Sequence, residues 1–458
     1  MAMMPVTDSM FLLAESREHP MHVGGLQLFE LPDGAGPDYV SEFHRQLLSL
    51  VDVRPLFRRR PRGPVSSVGQ FAWSNDDQLD LEYHVRLSGL PRPGRVRELL
   101  ELTSRLHGSL LDRHRPMWEF TVIEGLQGNR FATYTKVHHA LVDGVSALRL
   151  LQSTLSEDPN VMDVRPVWSP KVRTDAMGAG RSSSSDGGFD PIRAVTEFAK
   201  EVRGFGSAAA KVVNEAFREQ SATLSFQAPR SMFNVPITGA RRFAAQGWPL
   251  DRVKAVGKAA GATMNDVMLA MCSGALRTYM LDLGALPEKP LVAAIPMSLR
   301  SGKSVGGNAI GLILCNLATD QSDAGDRLAT IHDSMIKGKQ VYHGMSRLQI
   351  TALSALPLIP LAIGTIPGLT RVTPPAFNVL ISNVPGPRSP LYWNGARMQG
   401  VYPLSIPYEG QALNITVTSY AGSLEFGLTG CRRTVPHLQR LLGLLEESLA
   451  DLEKTVGA

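Results

Sequence analysis

One stretch constrains the fold of this chain more than any other: Lys136-Val137-His138-His139-Ala140-Leu141-Val142-Asp143-Gly144. Just before it, Phe131 to Val137 is rich in β-branched and aromatic residues and predicts a strand that runs into the two histidines. Gly125-Leu126-Gln127-Gly128-Asn129 is turn chemistry, and Met117 to Glu124 is a second apolar strand, so the histidine pair ends the returning arm of a hairpin. Just after it, Val145, Leu148, Leu151 and Leu155 recur at helical spacing. Asp143 and Gly144 occupy the junction, where a helix start and a tight turn are expected. Successive side chains of a strand point to opposite faces, so one histidine packs inward while the other looks into a cleft. A neutral imidazole, with an unperturbed pKa of about 6.5, is a usable base at physiological pH, and a carboxylate four residues on can orient the ring or brace the turn. Taken alone, the pair also fits structural packing or two ligands of a metal site. No HExxH or cysteine-pair spacing supports a metal, and none is expected.

His138-His139-x-x-x-Asp143-Gly144 resembles the HHxxxDG signature of CoA-dependent acyltransferases, a superfamily that includes chloramphenicol acetyltransferase, plant alcohol acyltransferases and peptide-synthetase condensation domains. The flanking residues narrow the resemblance. Pro20-Met21-His22-Val23-Gly24, Arg115-Pro116-Met117-Trp118-Glu119, Asn265-Asp266-Val267 and Ser382-Asn383-Val384-Pro385-Gly386-Pro387 are together similar to the bacterial wax ester synthase/diacylglycerol acyltransferase family. The matches run from about Asp8 to Thr434, nearly the whole chain.

The resemblance implies a mixed α/β (α+β) fold of two chloramphenicol-acetyltransferase-like domains with the active-site tunnel between them. It implies His139, the second histidine, as general base, with His138 packing or orienting and Asp143 supporting the histidine loop. An arginine after the strand Leu291–Pro296 pairs with that aspartate in related enzymes, which points to Arg300. Asn265 and Asp266 are implied near the substrate, although either is also placed to cap a helix over Asn265–Leu281. Asn265, Ser382 and Thr418 are candidate oxyanion donors. Glu15 and His22 resemble positions near the substrate channel. The implied co-substrate is acyl-CoA, with no further cofactor. The implied acceptor is diacylglycerol or a long-chain alcohol, and the products are triacylglycerol or wax ester.

Length and composition agree with this. A chain of 458 residues exceeds one ordinary core, and two domains of roughly 200 residues are expected. The expected division is 1–165 for the histidine-bearing domain, 166–240 for a linker with helices, and 241–458 for the second domain. Arg165 to Asp190, with its Ser182–Ser185 run, reads as the poorly ordered part of that linker, followed by helices over Pro191–Arg218. Hydrophobic content of 43% against 19% charged residues describes a globular, rather apolar protein. The net charge of +5 suits an anionic CoA ligand or an acidic membrane surface without demanding either. Aromatics are not interleaved with basic runs, which argues against nucleic-acid binding. Cys272, Cys315 and Cys431 are scattered and read as buried free thiols of a reducing compartment. The N-terminus has no signal-peptide pattern, so a cytoplasmic protein is expected, with peripheral attachment to the plasma membrane or lipid inclusions as an added option.

Further stretches bear on function. Arg54, Arg58, Arg59, Arg60 and Arg62 form a basic cluster that reads as a solvated loop or as a site for CoA phosphates or lipid headgroups. Asp8 is placed to cap a short helix that Pro20 ends. Ile350 to Thr370 carries only uncharged residues, but its prolines argue for broken helices along an acyl tunnel or bilayer surface rather than one spanning helix. Seventeen methionines can add to such apolar walls. Ser301-Gly302-Lys303-Ser304 lacks the earlier glycine of a P-loop. Two other functional classes stay open. One is a condensation-type amide or ester synthase using carrier-bound substrates; the other is a non-catalytic lipid-binding protein.

Overall fold

A computed structural model of the chain describes residues 2–65, 70–170, 228–299, 309–343, 345, 350, 353–354 and 374–458. Arg300, Ser301–Ser304, the glycine-rich loop at 306–308, most of the apolar 350–370 stretch and the greater part of the expected linker lie outside the described residues. The chain divides into two compact units. Unit 1 holds Met1–Glu15, Pro20–Gly188 and Gly386–Leu404; unit 2 holds Ser16–His19, Phe189–Pro385 and Ser405–Ala458.

In chain order the elements of unit 1 are β1 (Ala2–Met3), α1 (Val6–Ala14), β2 (His22–Glu30), α2 (Tyr39–Ser49), β3 (Arg59–Arg62), β4 (Ala72–Asn75), α3 (Leu81–His84), β5 (Val85–Gly89), α4 (Val96–Gly108), β6 (Trp118–Leu126), β7 (Arg130–His138) and α5 (Gly144–Ser153). Unit 2 continues with β8 (Arg241–Pro249), α6 (Leu250–Ala260), α7 (Met264–Asp282), β9 (Val292–Leu299), β10 (Ala309–Asn316), α8 (Ala324–Val341) and β11 (Val379–Val384). The short strand β12 (Tyr392–Trp393) and β13 (Ala396–Leu404) return to unit 1, and β14 (Leu413–Tyr420), β15 (Ser423–Cys431) and α9 (Arg440–Val456) complete unit 2.

Among the described residues, unit 1 has a six-stranded sheet in the order β12-β13-β2-β7-β6-β5 and a small sheet β1-β4-β3. β7 is central, antiparallel to both β2 and β6, with His22 opposite His138 and Val23 opposite Val137. The β6–β7 hairpin turns at Gly128 (φ 78°) and Asn129 (φ 56°), the turn chemistry that the sequence places there. Trp118 anchors the hairpin as packing. It stacks at 5.2 Å on Trp168 and at 4.5 Å on His84, and its Nε1 donates to Phe57 O at 2.8 Å.

Unit 2 has a six-stranded sheet in the order β10-β9-β11-β14-β15-β8, in which β11 runs parallel to β9 and β14. α7 is apolar almost all round and lies at the centre of this unit's core, with Val267, Met268, Leu269, Met271 and Leu276 fully buried. Among the described residues no helix is long and apolar enough to cross a membrane.

Three local expectations are corrected. Asp8 does not cap α1: Pro5 occupies the N-cap position and Asp8 lies in the first turn, where its charge meets the helix N-terminus. That helix ends at Ala14, well before Pro20. The arginine cluster is not a loop but a 3-10 turn (Pro55–Arg58) leading into edge strand β3, with Arg58 Nε and Arg60 Nη1 donating to backbone carbonyls of Val53 and His114. The last helix starts at Arg440, past His437, whose left-handed φ of 52° no helix continues through.

Candidate active site

The two faces of β7 are chemically distinct. On one face stand Tyr134, Lys136 and His138. Lys136 is fully buried, and its three ammonium donors are spent on Leu106 O (3.1 Å), Ser109 O (3.0 Å) and Glu119 Oε2 (2.9 Å). Leu106 belongs to the last turn of α4, so this lysine ties the helix C-terminus to the strand. Tyr134 O–H meets His107 Nδ1 at 2.8 Å, and His22 Nε2 donates to His107 O at 2.6 Å. Burial holds His22 neutral, well below the usual histidine range, and the nearby His107 and Lys136 push the same way. On the opposite face stand Thr135 and Val137.

His139 leaves the strand but keeps its pairing: its N–H donates to Met21 O at 2.9 Å, while His138 N–H donates to Met117 O at 3.0 Å. The chain then turns, with Leu141 and Val142 N–H both reaching His138 O. Asp143 caps α5, accepting the Ser146 N–H at 2.9 Å through Oδ1. Gly144 is the first residue of that helix and has no left-handed φ, so the carboxylate rather than a glycine turn makes the junction. The His139 ring lies almost parallel to Phe11 of α1, with centroids 4.3 Å apart and planes at 21°. Burial pushes its pKa below the usual value, and the carboxylates of Asp143 and Asp8 pull only partly back. The result is an imidazole kept neutral at physiological pH, the form a general base needs.

His138 meets the end of the same helix, α1. Its Nδ1 accepts the Ala140 N–H at 3.1 Å, so the ring proton sits on Nε2, 3.3 Å from Glu15 Oε1. Glu15 is buried at the end of α1. It takes Arg113 Nε at 3.0 Å and Nη2 at 2.9 Å through Oε2, and the Met21 N–H at 3.2 Å through Oε1. Burial alone would raise this carboxyl; His138, the Met21 amide and Arg113 outweigh it and hold the group below the ordinary glutamate value.

The remaining predicted site residues lie in unit 2. Thr263 caps α7 and Asp266 returns the capping box: Asp266 N–H donates to Thr263 Oγ1 at 3.3 Å, and Thr263 N–H to Asp266 Oδ2 at 2.9 Å. Asp266 thus sits at the third helical position rather than the cap, is buried, and also meets His332 Nδ1 at 2.8 Å. Removing the cap hydroxyl, Thr263→Ala, is expected to cost about 1 kcal/mol of stability; urea unfolding of the variant checks it, and an unchanged midpoint would sink it. Asn265 Oδ1 accepts Asn383 Nδ2 at 3.4 Å, while its own Nδ2 is buried and has no hydrogen-bond partner among the described residues. Ser382 is half-buried on β11, opposite Thr416. Thr418 is corrected as an oxyanion donor: it is fully buried and its single hydroxyl proton goes to Val384 O at 2.8 Å, inside the sheet. The structure therefore brings His138, His139 and Asp143 together in unit 1 and Asn265 beside Asn383 in unit 2.

Sequence reading missed Phe11 as the platform under His139 and missed Arg113 altogether. Neither has a local signature. Phe11 looks like one more apolar helix residue, and Arg113 finds Glu15 across 98 positions of chain.

Comparison with known proteins gives a consistent picture. Residues 3–268 match the model of the wax ester synthase/diacylglycerol acyltransferase catalytic domain, and residues 306–453 that of the WS/DGAT C-terminal domain. The chain is 54% identical over 459 residues, 99% of each chain, to the Mycobacterium tuberculosis protein tgs2, which is named for diacylglycerol O-acyltransferase activity. It is 42% identical over 465 residues, 99% of this chain and 90% of the other, to a Mycobacterium bovis protein named for the same activity. The solved wax ester synthase/diacylglycerol acyltransferase from Marinobacter aquaeolei matches with a TM-score of 0.80 at 44% identity, covering 100% of both chains. The first condensation domain of the CDA synthetase matches with a TM-score of 0.57 at 17% identity, over 99% of this chain and 96% of that one, which shows the shared fold alone.

Proposed function

Because the chain belongs to the wax ester synthase/diacylglycerol acyltransferase family, and so is an acyltransferase, we propose that it moves a long-chain acyl group from acyl-CoA to the hydroxyl of diacylglycerol or of a long-chain alcohol, with His139 as the general base. The observation that carries this reading is the state of His139: buried, stacked on Phe11, neutral through burial, and fixed by the Met21 carbonyl and the Asp143-capped turn.

In this mechanism both substrates are bound before chemistry begins. The imidazole of His139 takes the acceptor's hydroxyl proton as that oxygen attacks the thioester carbonyl carbon. The tetrahedral oxyanion collapses, the C–S bond breaks, and the imidazolium returns its proton to the departing CoA thiolate. Protons and charge balance with no covalent acyl-enzyme, and the reaction needs no cofactor beyond the acyl-CoA itself. Asp143 holds the loop and offsets the charge that appears on His139 in the transition state. The unpartnered Asn265 Nδ2 suits a contact to a substrate oxygen. Both substrates carry lipid chains, so we place the working enzyme at a membrane or lipid-inclusion surface, toward which the exposed Arg59 and Arg62 offer cations.

The test is free-thiol release from palmitoyl-CoA with hexadecanol, with dioleoylglycerol and with neither. Acceptor-dependent release is expected, and the faster acceptor ranks wax ester against triacylglycerol. Release that ignores both acceptors, or none at all, would return the chain to carrier-dependent condensation or to lipid binding.

A further inference from the structure

We propose that Arg60 and Arg62, on one face of edge strand β3 in unit 1, form a phosphate-group site that holds the CoA end of the acyl donor. The inference rests on the acyl-transfer reading above and adds to it the place of the donor's charged end.

Among the described residues, none of Arg54, Arg58, Arg59, Arg60 and Arg62 meets a carboxylate. Arg86, Arg113 and Arg115 of the same unit each do, at 3.2, 2.9 and 3.5 Å. The neighbouring carboxylates are engaged elsewhere. Asp76 Oδ1 accepts the Gln78 N–H at 3.1 Å, and Asp112 Oδ1 accepts the His114 N–H at 2.8 Å while also meeting the His114 ring. A solvated loop would leave such cations mobile, but here the backbone fixes them. Trp118 Nε1 fastens the turn at Phe57 O, Arg58 Nε donates to Val53 O at 3.2 Å, and Arg60 Nη1 donates to His114 O at 3.0 Å. Carbonyl partners leave the charge of a guanidinium unneutralised, and its planar fork of N–H donors matches the oxygens of a phosphate.

Strand register makes the two arginines a pair. β3 runs antiparallel to β4, with Arg60 opposite Ser74 and Arg62 opposite Ala72, so both stand on one face, about 7 Å apart, and Arg59 stands on the other. Arg62 is exposed and Arg60 half-buried. Arg60 is also the link to the histidine motif. Its partner His114 lies three residues before Met117, whose carbonyl accepts the His138 N–H at 3.0 Å. Three residues span at most about 10 Å, so the Arg60 guanidinium stands a short step from the end of β7 without touching it. CoA has the matching shape: its pantetheine arm separates the thioester sulfur from the phosphates. A thioester held at His139 therefore carries its phosphates away from the base. Anionic lipid headgroups are the second source of phosphate. The fastening of Arg60 to the segment that supports His138 favours CoA.

The experiment separates the two sources. Arg60→Gln, Arg62→Gln and, on the opposite face, Arg59→Gln are compared with the wild type. Values of kcat/KM are measured at fixed hexadecanol for octanoyl-CoA and for octanoyl-pantetheine, which has the same thioester and no phosphate. Circular dichroism and melting confirm that each variant is folded; should Arg60→Gln, which loses its bond to His114, fail to fold, Arg62→Gln carries the test alone. The ratio of the CoA value to the pantetheine value is expected to fall about tenfold in Arg60→Gln and in Arg62→Gln, through KM, and to stay near the wild-type value in Arg59→Gln. Wild-type ratios in the folded Arg60→Gln and Arg62→Gln proteins overturn the site and leave the transferase reading in place. An equal fall in all three variants also overturns it, because a diffuse basic field then suffices. Sedimentation with phosphatidylcholine vesicles, with and without phosphatidylglycerol, tests the other source. An Arg62→Gln protein that keeps its ratio but no longer sediments with the anionic vesicles gives this guanidinium to lipid headgroups and overturns the CoA site. If the wild type releases thiol from neither thioester, the transferase reading falls instead. The site is then judged by calorimetric titration with CoA itself: binding about tenfold weaker in Arg62→Gln upholds it, and equal binding in both proteins, or none by the wild type, overturns it.

Discussion

Replacing His139 by alanine is expected to slow acyl transfer by roughly a hundred- to ten-thousandfold, the usual contribution of a positioned general base. The loss should appear in kcat and in kcat/KM alike, because the imidazole acts on the hydroxyl proton in the transition state and contributes little to holding either lipid. The pH profile supplies a second reading from the wild type. The rate needs neutral imidazole, so it rises with pH through the pKa of His139 in the folded protein. Burial lowers that pKa, against the partial pull of Asp143 and Asp8. The acid limb of kcat/KM should therefore reach half its plateau below about 6.5, the unperturbed histidine value. Thiol release from palmitoyl-CoA, followed across pH for both proteins, checks both statements. Near-normal turnover in His139→Ala would end the proposal, and an acid limb well above the ordinary value would show that the base is some other group.

Much of this site could be read from the sequence because its determinants are local. β-Branched residues, a Gly-Asn turn and an Asp before a helical apolar period all lie within about thirty positions, and each acts through neighbours in the chain. The structure accordingly gives β6, β7 and α5 with ends within a few residues of those expected, with β7 ending at His138. What the sequence did not display are the partners chosen by packing. Phe11 beneath His139, Arg113 on Glu15, and α4 docked through Lys136 each depend on contacts across tens of residues. The same holds for β13, which comes back from beyond residue 390 to pair with β2 beside the catalytic strand. A lysine two residues before a histidine pair reads as solvent-facing by its chemistry, and only the carbonyls at the end of α4 explain why it is buried. Thr418 shows the converse limit: its type suits an oxyanion donor, but its proton is already given to the sheet.

The second large effect concerns Glu15. It lies outside the histidine motif, yet it holds the motif at two points. One oxygen accepts the Met21 amide, and the Met21 carbonyl in turn accepts the His139 amide; the same oxygen is 3.3 Å from His138 Nε2. The other oxygen carries the fork of Arg113. Glu15→Ala therefore leaves His138 in a dry pocket and Arg113 half-buried without its carboxylate, and a broken buried pair of this kind costs about 3–5 kcal/mol. Trp73, Trp118, Trp168 and Trp393 all belong to unit 1, against Trp248 alone in unit 2, so tryptophan fluorescence in a urea titration reports mainly on the unit that should weaken. The sign with pH is also fixed. Contacts in the folded state lower the Glu15 pKa below 4.5, so its contribution is complete above that value and drains away as pH falls further. Glu15→Gln keeps the shape and loses the charge. Its stability deficit should be largest near neutrality and should shrink as the titration is repeated at lower pH. A Glu15→Ala protein as stable as the wild type at neutral pH would remove the carboxylate from the support of the histidine loop and leave Asp143 and the Met21 backbone to position it.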